Sequence, residues 1–219
     1  MAGLTQSSIG RKFLMALSAI FLLIFLLNHL SINLISIFSA DAFNAASHFM
    51  ESNPLIQFVM QPILIAGVVF HFLMGFVLEV KNNAARPVKY AVTNNSGNSS
   101  WASRNMIISG AVILAFLALH FADFWIPTIS KNYFGAEHTE TPYEHVQEKF
   151  EALWRVIAYV VCFVLLGLHL SHGFQSSFQS IGARHPKYLP IIKALGTWYS
   201  ILIPLGFIIV AVYHHISQS

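Results

Sequence analysis

The chain has 219 residues, of which 56% are hydrophobic and only 10% are charged. Because soluble domains carry about 25% charged residues, this composition excludes an ordinary soluble domain. Apolar runs of about 20 residues recur and indicate an all-α polytopic membrane protein. The sequence pI near 9.1 does not indicate a nucleic-acid partner, because the basic residues lie between the apolar runs. The single cysteine, Cys162, excludes a disulfide within the chain.

Five membrane-spanning helices are predicted, in a single membrane domain that covers residues 1–219. The first apolar run, residues 13–38, is longer than the apolar core of a signal peptide and is expected to remain as a span. After it, apolar side chains at helical spacing predict a short helix on the outer membrane surface. The third span is expected to end at Pro127, which follows the aromatic anchor Trp125. The predicted bounds are about 12–38, 54–80, 105–127, 151–178 and 190–215 for the spans and about 41–51 for the surface helix.

Loop charges predict the orientation of the bundle. With the N-terminus inside, nine of the twelve lysines and arginines lie on the inner side, and only Lys131, Lys149 and Arg155 lie outside. The positive-inside rule therefore places the N-terminus in the cytoplasm and the C-terminus outside. The acidic segment from Lys131 to Lys149 is expected to be a solvated outer loop. The nine inner basic residues are Arg11, Lys12, Lys81, Arg86, Lys89, Arg104, Arg184, Lys187 and Lys193.

Four histidines lie deep inside predicted spans, where an imidazole is costly and usually functional. They are His29, His71, His120 and His169, each 16–18 residues into its span, or about 25 Å along its helix. Because consecutive spans run in opposite directions, His29 and His120 share a depth near the outer face, while His71 and His169 share one nearer the inner face. Hydrogen bonding or proton transfer by single histidines is an alternative. A transporter's di-metal site is another, although its ligands would share one layer and normally include carboxylates, and these spans hold no mid-membrane Asp or Glu.

Two imidazoles that face each other from different helices are the ligands of a bis-histidine haem b. Gly75 and Gly173 each follow a candidate ligand by four residues and would leave room for the porphyrin on the same helix face. His172 is three residues after His169 and is either an alternative ligand or a group near a propionate. Arg155, at the outer mouth of the fourth span, is a candidate partner for the outer haem. The other histidines are expected in solvated or interfacial positions: His48, His138, His145, His185, His214 and His215.

Short motifs occur in order along the five spans: NHLSIN at 28–33, AFNAASHFMES at 42–52, FH at 70–71 with Gly75, LH at 119–120 and HLSHGFQ at 169–175. In this order they resemble the di-haem cytochrome b membrane subunit of bacterial succinate dehydrogenases and fumarate reductases. The SIGRK opening at 8–12 and HGFQSSFQ at 172–179 resemble the version found in Bacteroidetes-type bacteria. The family pattern H-x-x-x-G makes His169, rather than His172, the ligand. Gly167 stands where some fumarate-reducing members carry a glutamate for proton movement, so the resemblance does not extend to that path.

The resemblance implies an anchor in the bacterial inner membrane that carries two haem b groups. It docks an iron–sulfur subunit and an FAD subunit on the cytoplasmic side and passes electrons between succinate or fumarate and a membrane quinone, usually menaquinone. The chain has no flavin motif and no cysteine set for a cluster, so its own work would be electron transfer and quinone turnover. Glu51, which ends the predicted surface helix just before the second span begins, is the candidate for quinone proton handling. The alternatives are a di-haem anchor of a hydrogenase or formate dehydrogenase and a non-haem membrane transporter.

Overall fold

The computed structural model describes residues 7–84, 105–135 and 140–218. Within these ranges five helices are long and apolar enough to cross a membrane, and no strand is present, which confirms the predicted all-α class. His138 and the basic residues Arg86, Lys89 and Arg104 lie outside the described residues. The spans are α1 (Ser8–Phe38), α3 (Ile56–Ala84), α4 (Met106–Phe134), α6 (Leu153–Ser180) and α7 (Leu189–Ile216), and two shorter helices are α2 (Ala40–Ser52) and α5 (Pro142–Glu151).

Four of the spans form a ring around a common interior. Helix α1 packs against α3, α3 against α4, α4 against α6, and α6 against α1. Helix α7 lies outside the ring and packs against α1 and α6, where Phe163 and Phe207 stack with ring centroids 5.2 Å apart. Consequently α1 faces α4, and α3 faces α6, across the interior, which is where helix bundles hold cofactors and metals. We call the end of the bundle where α1 begins the inner end, and the opposite end the outer end.

Helices α1 and α2 meet at a single residue at the outer end. Ser39 has an extended backbone, its N–H donates to Ile35, and its side chain accepts from the N–H of Ala42 at 3.1 Å. One serine therefore ends α1 and begins α2, as expected for an N-cap side chain. Helix α2 spans Ala40–Ser52, where the sequence predicts a helix at about 41–51.

The third span runs seven residues beyond its predicted end at Pro127 and stops at Phe134. Residues Phe121–Trp125 form a π-helical turn, and Pro127 follows at the start of the next α-helical turn. A proline has no N–H for the carbonyl four residues earlier, here that of Asp123. His145 donates to this carbonyl from Nε2 at 2.8 Å, so a neighbouring side chain supplies the donor that the proline lacks where the helix passes Pro127.

The segment predicted as a solvated outer loop forms helix α5 over most of its second half. Thr141 and Glu144 form a capping box at its start, and Val146 and Phe150, four residues apart, are both buried. The expectation of a solvated loop is wrong here because two apolar residues on one helix face outweigh the surrounding charges. His145 is accordingly not solvated, and its side chain is only 17% exposed.

Helices α6 and α7 approach closely at Gly167. A Cβ atom there would lie 3.0 Å from the carbonyl oxygen of Ser200, the carbonyl that Pro204 leaves without its helical donor. Small residues allow such close contacts between membrane helices. The position therefore has no room for a larger side chain unless α7 moves.

Candidate functional site

His71 on α3 and His169 on α6 meet across the interior toward the inner end. Their ring centroids are 6.4 Å apart and the ring planes are inclined by 67°. A serine from a neighbouring helix contacts each ring: Ser18 Oγ lies 3.1 Å from Nδ1 of His71, and Ser109 Oγ lies 3.2 Å from Nδ1 of His169. Each imidazole is therefore held through one nitrogen, and the other nitrogen has no hydrogen bond among the described residues.

His29 on α1 and His120 on α4 meet in the same way toward the outer end. Their ring centroids are 5.7 Å apart and the planes are nearly perpendicular, at 81°. Neither ring has a hydrogen-bond partner in the described part of the chain, and Nδ1 of His120 is buried without one. Both rings are surrounded by aromatic side chains, which exclude water from this pair: Phe25, Phe116, Phe124 and Phe207.

The separation between the two pairs follows from α1 and α4, which contribute to both. On α1, Ser18 contacts the inner pair and His29 belongs to the outer pair. On α4, Ser109 contacts the inner pair and His120 belongs to the outer pair. Each serine precedes its histidine by 11 residues, from 18 to 29 and from 109 to 120. At 1.5 Å per residue the two pairs lie about 16 Å apart along the helices.

Both pairs fit a metal ion held between two imidazoles. A metal–imidazole bond of about 2 Å places the two ring centroids about 6 Å apart, close to the 6.4 and 5.7 Å that separate them here. Within the described ranges no third His, Cys, Asp or Glu joins either pair; the group of three close enough to hold an ion is Glu140, His145 and Glu148, outside the spans. Two imidazoles cannot complete a zinc or non-haem iron site, whereas a porphyrin supplies the remaining four ligands itself. The donor set therefore fits haem iron.

The two glycines that follow the inner ligands lie beside methionine side chains from neighbouring helices. A Cβ atom at Gly75 would lie 3.5 Å from Cε of Met15, and one at Gly173 would lie 3.4 Å from Cε of Met106. These are ordinary contacts with the flexible ends of long side chains, so the helix packing alone does not require glycine at either position.

His172 does not take part in either pair. It is partly buried on α6, and the described residues give it no hydrogen bond and no ring contact. The ring that faces His71 is that of His169.

A buried carboxylate lies within span α4 near the outer pair, so the expectation that the histidine-bearing spans hold no mid-membrane Asp or Glu is wrong here. Asp123 lies one turn after His120, is 4% exposed, and accepts a hydrogen bond from the hydroxyl of Tyr159 at 2.8 Å on Oδ2. Its Oδ1 lies 3.2 Å from Nε of Arg155, whose guanidinium also lies 4.8 Å from the ring centroid of Trp154. Arg155, a candidate haem partner in the sequence, is thus engaged by a carboxylate of the chain itself. The three-residue spacing of His120 and Asp123 could have predicted from the sequence that this carboxylate lies near the outer pair.

Glu51 lies at the outer end, at the last turn of α2. Burial raises the pKa of its carboxyl group, while the charges of Lys131, His48 and His145 act in the opposite direction. Next to it, the buried Gln57 donates from Nε2 to the carbonyl of Met50 at 2.7 Å and accepts from the Tyr133 hydroxyl at 3.3 Å. The two π-helical turns of the described chain, Ile56–Met60 and Phe121–Trp125, therefore each carry one buried polar residue, Gln57 and Asp123. Such turns are frequent at functional sites.

The bundle and its paired histidines define an integral membrane protein whose interior is suited to metal-bound cofactors. The chain is similar to the succinate dehydrogenase cytochrome b558 subunit of Bacillus subtilis (strain 168), with 30% identity over 99 residues. The match covers 44% of this chain and 45% of that protein, so less than half of each is compared. No family model and no solved structure matches the chain.

Proposed function

We propose that the chain is the di-haem cytochrome b anchor of a succinate dehydrogenase or fumarate reductase, of the Bacteroidetes-like version. The observation that carries the proposal is the pair of interhelical histidine contacts at two depths, each with the spacing of a metal held between imidazoles. His71 and His169 would hold the inner haem iron, and His29 and His120 the outer one. The similarity to a cytochrome b558 subunit points to the same chemistry independently.

Each haem b, when bound, supplies one-electron transfer at its iron. The paired imidazoles would hold the iron, while serine hydroxyls contact the inner pair and aromatic rings surround the outer pair. Gly75 and Gly173 would provide space for the porphyrin edge beside the inner ligands. His172, which has no other described partner, would lie near a propionate. Arg155, which forms an ion pair with Asp123, would place its positive charge near the outer haem.

Electrons would pass between an iron–sulfur subunit and a membrane quinone, with menaquinone the expected substrate. We place the iron–sulfur and FAD subunits at the inner end, in the cytoplasm, with the N-terminus on that side and the C-terminus outside. Glu51 would exchange protons between the quinone and external water, because it lies at the outer end next to the start of span α3, and burial raises the pKa of its carboxyl group. Gln57 and Tyr133 supply neutral hydrogen-bonding groups close by.

The test is the spectrum and composition of the complex purified through this chain. We expect a dithionite-reduced α-band, two haems b per chain, and co-purified FAD and iron–sulfur subunits that oxidise succinate or reduce fumarate. Nickel or molybdenum subunits would instead indicate the anchor of another dehydrogenase, and a preparation without haem would indicate a transporter.

The ligand assignment is tested by four substitutions to leucine in assembled complex. His71→Leu and His169→Leu should remove or convert the same spectral component, and His29→Leu and His120→Leu the other one. His185→Leu is the control, because this histidine is exposed on the loop between α6 and α7 and contacts neither pair. Different components lost by the His71 and His169 variants would refute the two-layer assignment.

A further inference from the structure

The inner pair is held by two serines that occupy equivalent positions in two different helices. Ser18 of α1 contacts Nδ1 of His71, and Ser109 of α4 contacts Nδ1 of His169. The neighbouring helix supplies the serine in both cases, and the distances, 3.1 and 3.2 Å, are nearly equal. Ser109 is buried, so its hydroxyl has no competing bulk water.

The hydrogen bonds of a serine hydroxyl determine which of the two imidazole nitrogens carries the proton. A hydroxyl has one hydrogen to donate. Ser18 directs it at the carbonyl of Met15 at 2.8 Å, and Ser109 directs it at the carbonyl of Met106 at 3.0 Å. A carbonyl can only accept, so both contacts of each serine are hydrogen bonds in one arrangement alone, with the serine oxygen accepting from Nδ1 and the imidazole proton on that nitrogen.

An imidazole with its proton on Nδ1 has its lone pair on Nε2. That nitrogen has no hydrogen bond among the described residues in either His71 or His169, so it is available to a metal. The opposite arrangement, with a serine donating to Nδ1, would leave the proton on Nε2 and no lone pair for the iron. The serines thus select the tautomer that can bind.

The same device appears twice in the chain. Met15, Ser18 and His29 on α1 have the spacing of Met106, Ser109 and His120 on α4. Each following span of the ring carries a histidine and, four residues later, a glycine: His71 with Gly75 and His169 with Gly173. The ring is therefore built from two similar two-helix units, α1 with α3 and α4 with α6, and each unit supplies one serine–histidine contact to the inner pair.

We propose that Ser18 and Ser109 are positioning residues for the inner haem, which fix the tautomer and ring orientation of His71 and His169. This inference rests on the proposed function. A hydrogen bond from the distal N–H of a metal-bound imidazole to an oxygen atom raises the basicity of the ligand, and its loss typically costs about 10–100-fold in metal affinity. A more basic ligand favours ferric over ferrous iron. The outer pair lacks such acceptors among the described residues, so the effect is confined to the inner haem.

The experiment compares Ser18→Ala, Ser109→Ala and the corresponding threonine variants in the purified complex. Redox titration of the haem α-bands measures the reduction potential of each haem, and electron paramagnetic resonance of the oxidised haems reports the orientation of the axial imidazoles. Haem retention is measured by transfer to an excess of a haem-scavenging protein. Ser31→Ala is the matched control, since Ser31 lies on α1 and also bonds a helical carbonyl, that of Leu27 at 2.8 Å, but contacts no histidine.

We expect each alanine variant to raise the reduction potential of the inner haem, alter its resonance signal and speed its loss about tenfold or more, with the outer haem unchanged. Threonine keeps the hydroxyl and should restore the wild-type values, whereas Ser31→Ala should change none of them. Two bound haems with unaltered inner signals in both alanine variants would overturn the inference and leave the proposed function standing. Equal changes at both haems would also overturn it, because they would indicate general helix packing. Absence of haem from the wild-type complex would instead overturn the proposed function.

Discussion

The substitution Asp123→Asn tests the buried network beside the outer histidines. Asp123 is 4% exposed; one carboxylate oxygen accepts a hydrogen bond from the hydroxyl of Tyr159 at 2.8 Å, and the other forms an ion pair with Nε of Arg155 at 3.2 Å. Asparagine has nearly the same shape and can still accept from Tyr159. It removes the negative charge, however, and turns either an amide donor or a neutral oxygen toward the guanidinium.

The expected cost follows from the burial of the two partners. Removing one member of a buried ion pair costs about 3–5 kcal/mol, because the other charge is left uncompensated. The side chain of Arg155 is 22% exposed and lies over the ring of Trp154, so part of its charge can be solvated at the outer end. We therefore expect a loss of about 2–4 kcal/mol, below the upper end of that range. Tyr159→Phe, which removes one hydrogen bond to a charged group, should cost about 1.5–3 kcal/mol.

The assay is thermal unfolding of the purified complex in detergent, followed by circular dichroism. For a chain of this size the loss corresponds to a decrease in Tm of about 4–16 °C. Glu148→Gln is the control: its side chain is 52% exposed and pairs with Lys149 at 3.0 Å, so it should cost less than about 1 kcal/mol. The double variant with Arg155→Gln should lose less than the sum of the single losses. Additivity within about 0.5 kcal/mol, or a loss in Asp123→Asn no larger than that of the control, would refute the coupling.

The remaining predictions concern Glu51 and three glycines. Glu51→Gln should keep both haems but lower turnover with menaquinone analogues, and unchanged turnover would remove Glu51 from the site. Burial raises the pKa of the Glu51 carboxyl group, so the folded protein binds the carboxyl proton more tightly than the unfolded chain does. The free energy of unfolding should therefore fall as the pH rises above the ordinary carboxyl pKa. The Glu51→Gln variant should not show this decline. Gly75→Ala and Gly173→Ala place Cβ atoms at ordinary distances from methionine side chains, so the helix content should not change. We expect both variants to lose the inner haem alone, which would indicate that the glycines contact the porphyrin rather than a neighbouring helix. Gly206→Ala places a Cβ atom 2.8 Å from Leu30, next to His29, so it should cost about 1–3 kcal/mol and disturb the outer haem component selectively; an unaltered outer spectrum would contradict this.

The depth of each side chain in the membrane could be deduced from the sequence. Helical rise is constant, so counting residues from the start of a span places His29 level with His120 and His71 level with His169 before any packing is known. The length and apolar character of the five spans likewise predict the all-α bundle, because the bilayer core requires about 20 apolar residues per helix. These properties depend on one helix at a time.

The neighbours of each side chain were decided only by the tertiary structure. The contacts of Ser18 with His71 and of Asp123 with Arg155 join residues from different helices, and they depend on the order of helices in the ring and on their rotation. The same is true of His214, expected at an interface but fully buried, with Nε2 2.8 Å from Ser36 Oγ. The donor to the Asp123 carbonyl, which lacks the N–H of Pro127, likewise comes from another helix, α5. Periodicity along a chain specifies depth and apolar faces, whereas the partners of a buried polar group depend on which other helix faces it.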